Sequence, residues 1–197
     1  MYDIPHVDLR TQVSPIEWQT RVELAACYRL MVMHGWDDLI YTHISSRIPG
    51  TEDLLINAFG LSFEEVSASN LVKIDIDGNK KDPNSPFDIN PAGFTIHSAV
   101  HHARPDDQCA LHMHNSDAIA VASTQNGLLP YSQYAAFVLA SISYHNYEGL
   151  AVEPEEIKRL QQNLGNANYM LLRKHGALTM GKTIGDAFMH MYDLLQA

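Results

Sequence analysis

Cysteine and basic residues are scarce in this sequence, and each scarcity excludes something. Two cysteines, Cys27 and Cys109, in 197 residues are too few for a disulfide framework, and a chain long enough to bury an ordinary core does not need one. They read as reduced core residues. Only 13 Lys and Arg stand against 23 Asp and Glu, a formal charge of −10, so the basic surface that drives binding to phosphate backbones is missing. Nucleic acid and anionic membranes are therefore not expected partners. No stretch approaches the ~20 apolar residues of a membrane span. The segment from Met1 to His6 has no basic region followed by a long apolar run, so a cytoplasmic protein is expected. Repeats, low-complexity tracts and linkers are missing too, as are GxGxxG and Walker sequences. With 46% hydrophobic residues, the chain reads as one globular domain rather than a disordered segment. What it has in plenty is histidine: 11, nearly as many as Lys and Arg together.

Helix and strand signals interleave. Ser14, Pro15 and Glu17 signal a capped helix start, and Gly35 ends that helix after His34. Short segments follow at Leu39 to Arg47, Leu54 to Ala58 and Val72 to Ile76, the last closed by the hairpin signal Asp77-Gly78. After a loop from Pro83 to Pro91, a helix runs from Asn90 and Pro91 to Pro105. Gln108 to His114 reads as a strand, and Asn115, Ser116 and Asp117 cap an Ala-rich helix reaching about Thr124. Tyr134 to Ser143 fits either a strand or a short helix. Pro154 to Leu164 is a helix, Tyr169 to Arg173 and Ala177 to Met180 are strands about a turn at His175-Gly176, and a helix capped by Thr183 finishes the sequence in mid-pattern. The natural chain is therefore expected to continue past Ala197. Several strands join through turns too short for parallel crossovers, which predicts a mixed or largely antiparallel sheet covered by helices, not a Rossmann fold.

Alternate residues of a strand share a face, so His112 and His114 point the same way, with Cα atoms roughly 6.5–7 Å apart. Two imidazoles so placed can converge on one ion at the ~2.0–2.1 Å of a Zn–N bond. They sit at the strand's C-terminal end, where sites in α/β proteins collect. His175 stands at the end of another apolar strand, before a glycine that permits a tight turn. Together the three form a candidate open metal site if the two strands are neighbours. His97 and His101, four apart on one helix face, offer a second pair of ligands. The preferred reading there is a packed or capping His97 with His101 and His102 solvated. Taken alone, His34, His43, His145 and His190 read as ordinary surface or core residues, and His6 belongs to the terminus.

The segments Tyr41-Thr-His-Ile-Ser-Ser-Arg47, Ala68-Ser-Asn-Leu-Val-Lys-Ile74, Asn90-Pro-Ala-Gly-Phe-Thr-Ile-His97, Leu111-His-Met-His114 and Arg173-Lys-His-Gly176 together resemble the class II aldolase/adducin family, within it the adducin-head-like branch. The likeness runs from roughly Glu17 to the end, which divides the chain into an N-terminal extension of 1–13 and a class II aldolase/adducin-like domain of 14–197. The resemblance implies a three-layer α/β/α fold with a central, mostly antiparallel sheet, and a C4-type homotetramer with sites at subunit interfaces. It also implies that His112, His114 and His175 bind a divalent metal, most commonly zinc, with manganese and iron as alternatives.

The departures from the family pattern carry as much as the matches. Its sugar-phosphate aldolases place a catalytic glutamate four residues before the position of His97, where this chain has Gly93. Phosphate-cradling residues are replaced as well: His43 stands for an Asn, Phe59 for a Thr, and Pro91-Ala92 for a Ser-Ser pair. Tyr134 falls where the aldolases supply a proton-donating tyrosine from a neighbouring subunit. The resulting expectation is a metal-dependent lyase, an aldolase or decarboxylase, that acts on a small unphosphorylated hydroxy- or oxo-acid through a metal-stabilised enediolate. Tyr134, His43 and His97 are the candidate proton carriers. The alternative is a non-catalytic, adducin-head-like binding or assembly protein. A third reading is an iron-dependent oxidative enzyme, since imidazole also suits iron.

Overall fold

The computed structural model describes residues 8–83, 85–149 and 154–197, with the backbone alone at Ala92 and Pro154. The first seven residues of the expected N-terminal extension, His6 among them, lie outside the described residues, as does Asn84 of the expected loop.

Among the described residues the elements follow in order: helix α1 (Pro15–Met33), strands β1 (His43–Arg47) and β2 (Leu54–Ile56), a 3-10 turn at Phe63–Glu65, strand β3 (Val72–Ile74), helix α2 (Pro91–Ala103), strand β4 (Cys109–Met113), helices α3 (Ser116–Ser123) and α4 (Gln133–Leu139), strand β5 (Ile142–His145), helix α5 (Pro154–Leu164), strands β6 (Tyr169–Leu172) and β7 (Gly176–Gly181), and helix α6 (Ile184–Gln196). The strands form one sheet in the order β3-β2-β1-β4-β7-β6-β5. Every pairing is antiparallel except β5 with β6, so the expected mostly antiparallel sheet is present. No described helix is long and apolar enough to cross a membrane.

Strand alternation divides the core into two layers around this sheet. On one side Ile44, Leu111, Met113, Leu171 and Ala177 pack with Leu24 and Tyr28 of α1, Ala118 of α3 and Ala187 and Met191 of α6. On the other, Ala110, Met170, Leu178 and Met180 pack with Ala99 and Val100 of α2 and Leu160 and Leu164 of α5. Burying each such Leu or Met contributes about 1.5–3 kcal/mol. The result is the three-layer α/β/α architecture. Cys27 and Cys109 are both free and buried within it, and burial pushes the Cys27 thiol up to about 12.

Local chemistry explains where the sequence expectations hold and where they shift. Ser14 caps α1 by accepting a hydrogen bond from the Glu17 amide at 3.1 Å. The reciprocal half of the expected capping box is replaced, because the Glu17 carboxylate instead accepts from Arg21 and Lys73, each at 2.9 Å. Asn115 caps α3 through the amides of Asp117 and Ala118. The ambiguous stretch from Tyr134 holds both elements, the helix to Leu139 and then β5. The capping Ser132, which accepts from the Ala135 amide at 2.9 Å, starts the helical part. The segment expected from Leu39 begins only at His43, because Leu39 takes a positive φ of 50° that a strand cannot accommodate.

Candidate metal centre

The sheet order brings the two histidine-bearing segments together. β4 pairs with β7, Met113 opposite Ala177, and β6 turns into β7 with Leu172 opposite Gly176. His114 lies just past the end of β4 and His175 just before the start of β7, so both fall at one edge of the same pair of strands. His112 points to the α2 side of the sheet with Ala110. Its cross-strand neighbour on β1 is His43, whose ring centroid lies 5.0 Å from that of His112.

Three imidazoles converge. His114 Nε2 lies 3.1 Å from His112 Nε2 and 3.1 Å from His175 Nε2, and one ligand atom from each of the three residues lies within 4.8 Å of the others. Two of the far-side nitrogens are already committed. His112 Nδ1 faces the Ala177 carbonyl at 3.0 Å and His114 Nδ1 faces the Asp38 carboxylate at 3.1 Å. Each acceptor requires an N–H, so in a neutral ring the proton sits on Nδ1 and Nε2 is a bare lone pair. Two bare lone pairs 3.1 Å apart repel unless a cation lies between them. Two ligands on a tetrahedral zinc would be separated by roughly 3.3 Å for Zn–N bonds of ~2.05 Å. The donor set therefore fits a divalent metal, and Asp38 supplies the outer carboxylate such histidine ligands usually have. Burial and neighbouring imidazoles hold His112 well below its ordinary range. The same causes, burial first and then His114 and His145, lower His175 to about 4. Both rings are thus neutral and able to ligate at neutral pH.

Gly176 serves this geometry differently from the expected tight turn. Its φ is not positive, whereas that of neighbouring Lys174 is, at 60°. A Cβ at Gly176 would overlap the Met113 carbonyl oxygen and come within 3.1 Å of His114 and 3.3 Å of His112. Glycine is needed there for close approach, not for backbone freedom.

The three rings line a cavity of about 270 Å³, together with Tyr41, His43, Asn90, Gly93, Ile96, Tyr147 and Gly149. No Lys or Arg is among these described residues, so no side-chain cation offers itself to a phosphate. His43 Nε2 occupies the space where a side chain on Gly93 would stand. His97 does not line the cavity. It lies behind His43, its Nε2 2.7 Å from His43 Nδ1, and is fully buried. His101 corrects the expectation of a solvated ring: it too is fully buried, because the face it shares with His97 lies over Ser45 of β1. His102 is the exposed one of the pair. Tyr134 lies away from the cavity on α4, half-exposed, its ring 6.4 Å from that of Tyr192.

Sequence reasoning missed Asp38, Asn90 and Tyr147 as neighbours of the site. Asn90 sits within a segment that carried the family likeness; Asp38 and Tyr147 lie on irregular segments with no periodic signal.

A model of the class II aldolase and adducin N-terminal domain matches residues 22–197. The chain belongs to that family. A Pseudomonas aeruginosa protein named for aldolase class 2 is 58% identical over 190 residues, covering 96% of this chain and 73% of its own. Alpha-adducin of Mus musculus is 42% identical over 180 residues, 90% of this chain but 24% of the adducin. A crystal structure of an aldolase II superfamily protein from Pseudomonas syringae superposes with a TM-score of 0.92 at 48% identity, covering 95% of this chain and 76% of that one. Aldolase-type and adducin relatives thus both lie close to this sequence.

Proposed function

We propose that this chain is a divalent-metal-dependent carbon–carbon lyase, of aldolase or decarboxylase type, acting on a small unphosphorylated hydroxy- or oxo-acid. One observation carries the reading: the Nε2 atoms of His112, His114 and His175 converge at the wall of a cavity. His112, His114 and His175 would hold the ion, zinc first, with manganese or iron fitting the same imidazoles. Such an ion, when bound, polarises a carbonyl and stabilises negative charge on its oxygen. The protein's own part is to disfavour phosphate, by lining the cavity with no Lys or Arg among the described residues, and to bring His43 Nε2 to the place of the aldolase glutamate. His97 supports His43 from behind. Tyr134, exposed on α4, would act on a neighbouring subunit's cavity within a cytoplasmic homotetramer.

Elemental analysis of protein purified without added metal tests this. About one zinc or manganese per chain is expected, and its loss in both His112→Ala and His175→Ala. Metal content unchanged by both substitutions would overturn the site.

The similarity to alpha-adducin favours a second reading, a non-catalytic assembly protein built on the same fold. Protein free of stoichiometric metal yet oligomeric would select it.

A further inference from the structure

Behind the cavity runs a buried chain of hydrogen bonds. His43 Nδ1 is 2.7 Å from His97 Nε2, His97 Nδ1 is 2.5 Å from Ser45 Oγ, and Ser45 Oγ is 2.8 Å from His101 Nε2. None of the four residues exceeds 5% exposure. A neutral imidazole has one donor and one acceptor nitrogen, and a serine hydroxyl has one hydrogen. Were Ser45 Oγ to accept from both rings, its own buried hydrogen would have no acceptor among the described residues; with that hydrogen donated along the chain, only two directions remain. In the first, His101 Nε2–H donates to Ser45, Ser45 O–H donates to His97 Nδ1, and His97 Nε2–H donates to His43 Nδ1. The His43 proton is then on Nε2, facing the cavity. In the second, every donor reverses and the cavity meets a bare His43 lone pair.

The far end decides between them. His101 Nδ1 is buried and has no hydrogen-bond partner among the described residues. The first direction leaves it a lone pair, and the second leaves it an N–H. Orphaned buried N–H groups are the rarer and costlier of the two. Its neighbour is Arg47, whose Nη2 donates to the His101 carbonyl at 3.1 Å and whose Nε–H is also buried without a partner. A guanidinium has donors only, so it favours a lone pair on His101 over another N–H.

We propose that His101 and Ser45, acting through His97, are positioning residues that hold His43 as its Nε2–H tautomer. The cavity then meets a neutral N–H donor suited to a carbonyl or hydroxyl oxygen, as a neutral imidazole can be used electrophilically. No ring changes its net charge in this device. The identity of the acceptor rests on the lyase reading, but the tautomer is a property of the chain alone.

Nitrogen-15 histidine NMR reads the tautomer directly. Spectra are taken on zinc-loaded and metal-stripped protein, with His43 assigned by its disappearance in His43→Gln. The expected result is a proton on Nε2 of His43 in the unmodified protein. Ser45→Ala and His101→Phe should each turn this single tautomer into a mixture. His101→Gln, whose amide N–H can still donate to Ser45, should restore it. A proton on Nδ1 of His43 in the unmodified protein overturns the proposal, and this needs no variant to fold. So does a tautomer unchanged in both Ser45→Ala and His101→Phe. Metal content measured on the same samples reports on the histidine triad separately, so a metal-free protein sinks the lyase reading and leaves the tautomer result standing.

Discussion

His43 and Gly93 are complementary in shape: the imidazole fills the space a side chain at 93 would need, with Cδ2 2.5 Å from the position of an added Cβ. The two positions are therefore coupled in space. No side chain fits at 93 while His43 keeps its place.

That coupling is measurable. Gly93→Ala forces His43 to move or the α2 start to shift, and overpacking of this kind costs about 1–3 kcal/mol. In a His43→Ala background the obstacle is gone, and the same substitution should cost little. A double-mutant cycle by urea denaturation gives the interaction energy. Equal costs in the two backgrounds would show that the two positions do not compete for space.

His114 is oriented from outside the cavity by Asp38, 3.1 Å from its Nδ1. Asp38→Ala leaves all three imidazoles present but frees the His114 ring and its tautomer. Loss of such an outer partner lowers metal affinity by roughly 10–100-fold. Competition with a chromophoric chelator measures it, and an affinity equal to that of the unmodified protein would remove Asp38 from the site.

Gly176 makes a third test, since its missing Cβ is what lets the start of β7 pass against the Met113 carbonyl oxygen. Backbone cannot yield as a side-chain tip can. Gly176→Ala should destabilise the fold by about 1–3 kcal/mol and weaken metal binding through the displaced His112 and His114 rings. A stable variant with full metal affinity contradicts the close approach.

How much of the fold and site is legible in the sequence follows from what each signal depends on. The strand around His112 was readable because the Leu111, His112, Met113 alternation is local, and the helix starts at Pro15, Ser116 and Ile184 because their caps are local too. That β4 lies beside β7, and that β1 sets His43 opposite His112, are facts of sheet order, which no short-range pattern encodes. For the same reason the helix sequence misplaces His101: its burial depends on β1 running beneath α2, and that sequence alone reads equally well with the face in water. The close approach at Gly176 likewise needs the neighbouring strand to be known.

Burial of the histidine chain gives the fold a pH dependence of definite sign. Burial, followed by the charge His101 would carry, lowers His97 to about 3; burial and the nearby Arg47 lower His101 to about 3. In the unfolded chain both return to about 6.5, so between these limits the unfolded state binds more protons and stability falls as pH falls. From pH 7 to pH 5 each ring should remove about 2 kcal/mol of stability, as a site with an unfolded pKa of about 6.5 takes up its proton. His101→Gln deletes one titrating ring while keeping an N–H for Ser45, so its loss over that interval should be smaller by about 2 kcal/mol. Urea denaturation of metal-stripped protein at the two pH values measures both slopes. Parallel slopes would mean that His101 is not held neutral in the fold.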